Sequence, residues 1–225
     1  LHLDSGYYLL LAAELAETIR KRLQMYVLRS RVQLEDLTPK WAAIGLVGAD
    51  GWATVSSILG AEAYSSGSGT VKECTWGISF LMEGERRLVL AESAELEKLW
   101  PGFVSLLPRV SPEIWRLRDV EAGYAEVGVA ASEAFLPQML NLDVLGGVSF
   151  RKGCYTGQEI VTRTHYLGHL KRRMFRFNCG AGFLPQPGQS IFDASETEPK
   201  PVGEVVVVAQ NPEKGYELLA VLALD

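Results

Sequence analysis

From about residue 171 to its end the sequence is patterned for strands alone, and no earlier stretch constrains the fold as tightly. Four runs, Arg173–Asn178, Gln189–Phe192, Val202–Ala209 and Tyr216–Leu224, are rich in β-branched and aromatic residues. Gly-Ala-Gly-Phe-Leu-Pro-Gln-Pro-Gly at 180–188 and Asn-Pro-Glu-Lys-Gly at 211–215 separate them. Glycine and proline there favour turns and deny the chain a helical ladder. Short strands with such turns predict a small β-barrel over residues 171–225.

The first 110 residues mix two periodicities. Tyr7–Leu11 is an apolar run that predicts a short strand. Leu11, Leu15, Ile19, Leu23 and Val27 recur every fourth residue, which predicts an amphipathic helix. Arg31–Leu37 alternates and predicts a strand, as does Trp41–Val47, closed by a turn at Gly48-Ala49-Asp50-Gly51. Ser65–Gly69 reads as a loop. Trp76–Met82 and Arg86–Ala91 flank Glu83-Gly84 as a hairpin, and Ser93 is a candidate cap for a helix reaching Trp100. Together these elements predict a ferredoxin-like α+β layer over residues 1–110. Pro101 to Pro112 reads as a connector. A further helix opens at Ser111-Pro112 and stops at Gly123. It places the Glu121 carboxylate in its last turn, against the helix dipole. Residues 111–170 complete the α+β part.

The chain has 225 residues, 48% of them hydrophobic, enough for a core, and its net charge of −5 argues against a surface that coats nucleic acid. The charge is uneven. Residues 151–176 hold seven basic residues (Arg151, Lys152, Arg163, Lys171, Arg172, Arg173 and Arg176) and one acid, Glu159. Such a strip suits an anionic ligand, whether a polyglutamate tail, a phosphate or an RNA backbone; it equally suits a solvated strand-and-loop face. Cys74, Cys154 and Cys179 include no C-x-x-C pair, so neither a disulfide framework nor a zinc ribbon is expected, and a reducing, cytoplasmic setting fits. Cys74 and Cys179 read as packing residues. No apolar run reaches the roughly 18 residues that cross a bilayer. His165 and His169 have the spacing of helical metal ligands, but Gly168 between them predicts a loop, and no metal site is assigned.

The densest chemistry lies at residues 150–159, Phe-Arg-Lys-Gly-Cys-Tyr-Thr-Gly-Gln-Glu. Thr156 and Glu159 have capping-box spacing, so Thr156 is a candidate N-cap. Cys154 would then lie beside Arg151, Lys152 and a helix N-terminus, a setting that favours a thiolate. Gly153 and Gly157 would let a ligand or partner approach the backbone. A buried structural cysteine in a turn is the other reading.

Lys152-Gly153-Cys154-Tyr155-Thr156-Gly157-Gln158-Glu159 resembles the K-G-C-Y-x-G-Q-E signature of the YgfZ family. Arg118 to Gly123, Phe135-Leu136-Pro137-Gln138, Asn141-Leu142, Gly146 to Phe150, and Gly168 with Lys171-Arg172 follow that family's order. The resemblance implies an aminomethyltransferase-type fold and a folate-binding protein connected with iron–sulfur cluster assembly or repair and with tRNA modification. It makes Cys154 the functional thiol. It implies tetrahydrofolate or a derivative in a groove between the α+β part and the barrel. Val120-Glu121-Ala122-Gly123 matches the L-E-A-G context of the related glycine-cleavage enzymes, so Glu121 is the candidate pterin anchor, accepting two adjacent N–H groups. Arg163 and Arg173 are candidates for the glutamyl carboxylates, and Tyr124 and Tyr155 for packing on the ring.

The leading expectation is an accessory protein acting with iron–sulfur enzymes of the radical tRNA-modifying type, with direct tRNA binding weak or absent. A folate-dependent aminomethyltransferase or demethylase is the alternative, less favoured because its K-G-x-x-G-x-E frame requires no cysteine. An RNA-contacting module without folate is a third. The chain starts at Leu1 rather than Met, and the resemblance implies a further amino-terminal segment, the region in which aminomethyltransferases carry a catalytic aspartate.

Overall fold

The structure, a computed structural model, describes residues 1–48, 56–60, 69–195 and 198–224. The chain divides into two units, Leu1–Trp115 and Arg116–Asp225.

The first unit opens with a hairpin of β1 (His2–Leu3) and β2 (Gly6–Tyr7). The strand predicted over Tyr7–Leu11 therefore ends at Tyr7, and Leu9, Leu10 and Leu11 are exposed. A 3₁₀ turn, Ala13–Leu15, leads into helix α1, Ala16–Gln24, on the predicted stripe. Leu15, Ile19 and Leu23 are half-buried while the polar residues between them are exposed. Arg31–Leu37 is not a strand. Its alternation marks two faces, but a strand also needs a neighbour for its backbone groups.

β3 (Trp41–Val47), β4 (Val71–Cys74), β5 (Gly77–Met82) and β6 (Arg86–Glu92) form an antiparallel sheet in the order β3-β6-β5-β4. The predicted hairpin is β5 and β6, with Met82 opposite Arg86. Alternation along β6 divides its apolar residues between two faces. Val89 and Ala91 pack with Leu96 and Phe103 of helix α2, Ser93–Leu106. Leu90 packs with Ile78 and with Leu3 of β1. A ferredoxin-like layer sets one strand between two parallel strands joined by a helix. Here β4, β5 and β6 form a meander and two strands, β6 and β5, lie between β3 and β4, so the α+β class holds while the described strand order is not that of a ferredoxin-like layer. Residues 49–51 of the expected turn and 65–68 of the expected loop lie outside the described residues.

Helix α2 passes through Pro101, so much of the expected connector is helical. Proline removes one backbone donor, yet buried Phe103 two residues on, and Gly102 against Ile58, hold the next turn in place. Ser93 is the first helical residue rather than the cap, and its hydroxyl donates to the Lys40 carbonyl at 3.1 Å.

The unit boundary falls within helix α3, Pro112–Glu121. Its start is as predicted: the Glu113 N–H donates to Ser111 Oγ at 3.2 Å. Its end is also as predicted, with Gly123 at φ 75°. In the second unit, 3₁₀ turns at Val129–Ala131 and Pro137–Leu140 precede helix α4, Gln158–Tyr166. β7 (Arg172–Cys179), β8 (Ser190–Phe192), β9 (Pro201–Asn211) and β10 (Gly215–Ala223) follow the four predicted runs. They pair antiparallel in the order β7-β10-β9-β8. A barrel requires its first and last strands to pair. Among the described residues β7 and β8 do not pair, so the strands form a sheet and not the expected barrel. One core packs Met174, Leu219 and Val221 with Leu117 and Val120 of α3. A second joins Val205, Leu218 and Ala220.

Leu219 is 2% exposed at the centre of the larger core. Leu219→Ala is expected to cost about 2–5 kcal/mol in urea denaturation. At Leu167, 84% exposed, the same substitution stays within about 0.5 kcal/mol.

Candidate functional site

Helix α3 ends with its backbone acceptors accounted for. The Ala122 N–H donates to the Arg118 carbonyl at 3.0 Å, the Tyr124 N–H to Asp119 at 2.8 Å and the Gly123 N–H to Val120 at 3.1 Å. The last two bonds make a Schellman motif, which requires the left-handed backbone that Gly123 supplies. The next carbonyl, that of Glu121, accepts from Arg176 Nη1 on β7 at 3.4 Å. The Glu121 carboxylate is partly exposed and pairs with Arg118 one turn back, at 2.5 Å. Tyr124, just past the turn, is half-buried.

Arg176 is itself held. Its Nε and Nη2 both reach Glu217 Oε2 at 2.6 Å, and Asn211 Nδ2 donates to Glu217 Oε1 at 2.7 Å. Asn211 Oδ1 accepts the N–H groups of Glu213 and Lys214, closing the β9–β10 turn. Burial pushes the Glu217 carboxyl up; hydrogen bonds from Arg176 and Asn211, with the charges of Arg176 and Lys214, outweigh it and leave the pKa below the usual glutamate range.

Arg173 is held in a similar way. Its Nη2 donates to both carboxylate oxygens of Asp143, at 2.8 and 2.9 Å, and its Nε to Asn141 Oδ1 at 2.7 Å. Asn141 Nδ2 donates to the Met174 carbonyl at 2.9 Å. Asp143 thus already matches the charge expected to meet a glutamyl tail. Arg163, on α4, is exposed.

The segment carrying Cys154 lies on the surface. Residues 151–157 are all exposed, Cys154 and Tyr155 among them. Lys152 Nζ sits 5.0 Å from the Tyr155 ring centroid, a cation–π arrangement. The N-cap of α4 is Gly157 at φ 90°, not Thr156. Gln158 Oε1 accepts the Tyr155 N–H at 3.2 Å and closes the turn. Glu159 follows, exposed in the first helical turn. Val161 is the helix's buried side chain, and its carbonyl accepts from buried Gln138 Nε2 at 2.6 Å. His165 lies in α4 rather than in the expected loop and stacks on Phe150, with ring centroids 3.8 Å apart. The motif is therefore fastened at Val161 and by the Phe150–His165 stack, while the thiol faces solvent.

A groove of about 690 Å³ is lined by Met139, Leu170 and Leu224 with His169, Lys171 and Arg172; Glu121 and Cys154 do not line it. Among the described residues no three His, Cys, Asp or Glu side chains converge as metal ligands, and no helix is long and apolar enough to cross a membrane.

Sequence reasoning missed Asp143, Glu217, Asn211 and the role of Gln138. Two had a signal. Glu217 interrupts the apolar run Tyr216 to Leu222, where a charge requires a partner, and Asn211 opens an Asn-Pro turn.

Fold and site define an α+β protein that displays a cysteine on an exposed turn ahead of a short helix. No family model matches the chain. It is 33% identical over 149 residues to the tRNA-modifying protein YgfZ of Escherichia coli O157:H7, covering 66% of this chain and 45% of that protein. It is 36% identical over 114 residues to the protein of the same name from Serratia proteamaculans (51% and 34%). With that from Photorhabdus laumondii it shares 38% over 120 residues (53% and 36%). The similarity is to YgfZ proteins, and the match spans less than half the length of these relatives.

A Cβ at Gly153 meets nothing within 4 Å, so Gly153→Ala should leave stability within about 0.5 kcal/mol. Gly157→Ala, at positive φ, should cost about 1–2 kcal/mol; denaturant midpoints distinguish the two. The lowered pKa of Glu217 makes its ion pair stabilising above the ordinary glutamate value of 4.5 and lost as pH falls through the folded value. Glu217→Gln should lower stability at neutral pH and flatten acid unfolding followed by circular dichroism.

Proposed function

We propose that this protein is a folate-binding accessory factor supporting iron–sulfur cluster assembly or repair and tRNA modification, with Cys154 as its functional thiol. The observation that carries the reading is the exposure of Cys154 within the K-G-C-Y-T-G-Q-E segment. A single thiolate supplies one ligand where a resident cluster takes about four. Cys154 therefore acts transiently on iron or sulfur belonging to another protein.

The residues near the α3 terminus fit a pterin chemically. Glu121 is partly exposed and its carboxylate can accept two adjacent N–H groups. Its pair with Arg118 is an exposed one, worth at most about 1 kcal/mol, so a better-placed donor pair displaces it. Arg163 is the cation offered to the glutamyl carboxylates, and Tyr124 and Tyr155 are the candidate ring contacts. Tetrahydrofolate would supply one-carbon or redox chemistry; this chain binds and orients it. The proposed setting is cytoplasmic, with radical tRNA-modifying enzymes as partners. Direct tRNA binding is weak, because Asp143 and Glu217 neutralise two of the seven cations in the basic strip.

The decisive experiment supplies a host lacking its own gene with the full-length gene carrying Cys154→Ala and measures methylthiolated tRNA. Loss of the product at normal protein level is expected; full rescue would sink the thiol reading. tRNA titrations should show no binding at about 200 mM salt, and a strong, steeply salt-dependent affinity would favour an RNA-contacting module instead.

A further inference from the structure

We infer that Arg176 is a positioning residue that presents Glu121 to its ligand, acting through the backbone at the end of α3; the inference rests on Glu121 as the pterin anchor. The last carbonyls of a helix lack intrahelical partners and carry partial negative charge. The Schellman turn satisfies those of Asp119 and Val120, and Arg176 Nη1 reaches that of Glu121. A cation there also offsets the opposition between the Glu121 carboxylate and the helix dipole. Arg176 is anchored on its other side by Glu217, 2% exposed, which Asn211 fixes to the β9–β10 turn. A continuous chain thus runs from that turn through Glu217 and Arg176 to the backbone of Glu121. Its members come from three strands, β7, β10 and the end of β9, so the helix end is set by the sheet. A planar heterocycle read by one carboxylate needs that carboxylate held in one place, and Arg118, one turn away on the same helix, cannot provide an outside reference.

Removing Arg176 alone would leave the buried Glu217 carboxylate without its ion-pair partner. The test therefore uses Arg176→Met combined with Glu217→Gln, and Arg176→Lys as the conservative variant. The full chain is titrated with 5-formyltetrahydrofolate by calorimetry, in the wild-type and Glu121→Gln backgrounds, and amide exchange is followed at Ala122, Gly123 and Tyr124. The double variant is expected to weaken binding roughly tenfold in the wild-type background. It should add no further loss beside Glu121→Gln, and should lose protection at the three amides; Arg176→Lys should recover part of both. An equal loss in the two backgrounds, or unchanged exchange, overturns the inference. No binding by the unsubstituted chain overturns the folate reading and this inference with it. That outcome differs from binding with additive losses, which overturns the inference alone.

Discussion

Glu217 sits almost fully buried in an apolar strand, and the cost of desolvating a carboxylate makes its partners obligatory. Arg176 and Asn211 are those partners, and each does something further: Arg176 reaches the end of α3, and Asn211 closes the β9–β10 turn. One charge in the wrong medium thereby ties a helix terminus, three strands and the β9–β10 turn to a common reference. Leu117, Val120, Leu219 and Val221 fill the space around that reference without fixing orientation, because apolar contact is non-directional. The polar chain supplies direction.

Arg173 follows the same logic with less burial. Asp143 and Asn141 hold it from the segment after the Pro137–Leu140 turn, joining that segment to β7. A row of arginines in sequence thus separates into two kinds. Arg173 and Arg176 are parts of the scaffold, while Arg151, Lys152 and Arg163 remain exposed at the surface.

Much of this was legible in the sequence, and the failures share a cause. The strands of the C-terminal sheet and the β5–β6 hairpin are marked by residue type and turn chemistry, both local. So are the Ser111 cap and the Gly123 stop. What fails depends on partners distant in sequence. Arg31–Leu37 alternates well, but among the described residues no strand pairs with it. Pro101 breaks a helix only when nothing beyond it is anchored, and Phe103 is anchored. Barrel closure depends on pairing between β7 and β8, which neither run encodes. At the site, the surface position of Cys154 agrees with its polar, glycine-flanked surroundings. The ion pairs that occupy Arg173 and Arg176 come from Asp143 and Glu217, 30 and 41 residues away, and no spacing rule reaches so far. Thr156 has the right spacing for a cap, but Gly157 adopts the left-handed backbone and takes the capping position itself.

The three cysteines differ in what can reach them. Cys74 and Cys179 are half-buried, with Cys179 directing its sulfur at the carbonyls of Gly180 and Phe183, whereas Cys154 is exposed on a surface turn. Mixed-disulfide formation needs a line of approach to sulfur as well as a thiolate. Protein handled in air with a small oxidised thiol therefore collects the adduct at one position, and two molecules meeting through that position form a covalent pair. A sample's oxidation history is thus written at Cys154, so reductant belongs in any buffer used to judge its oligomeric state.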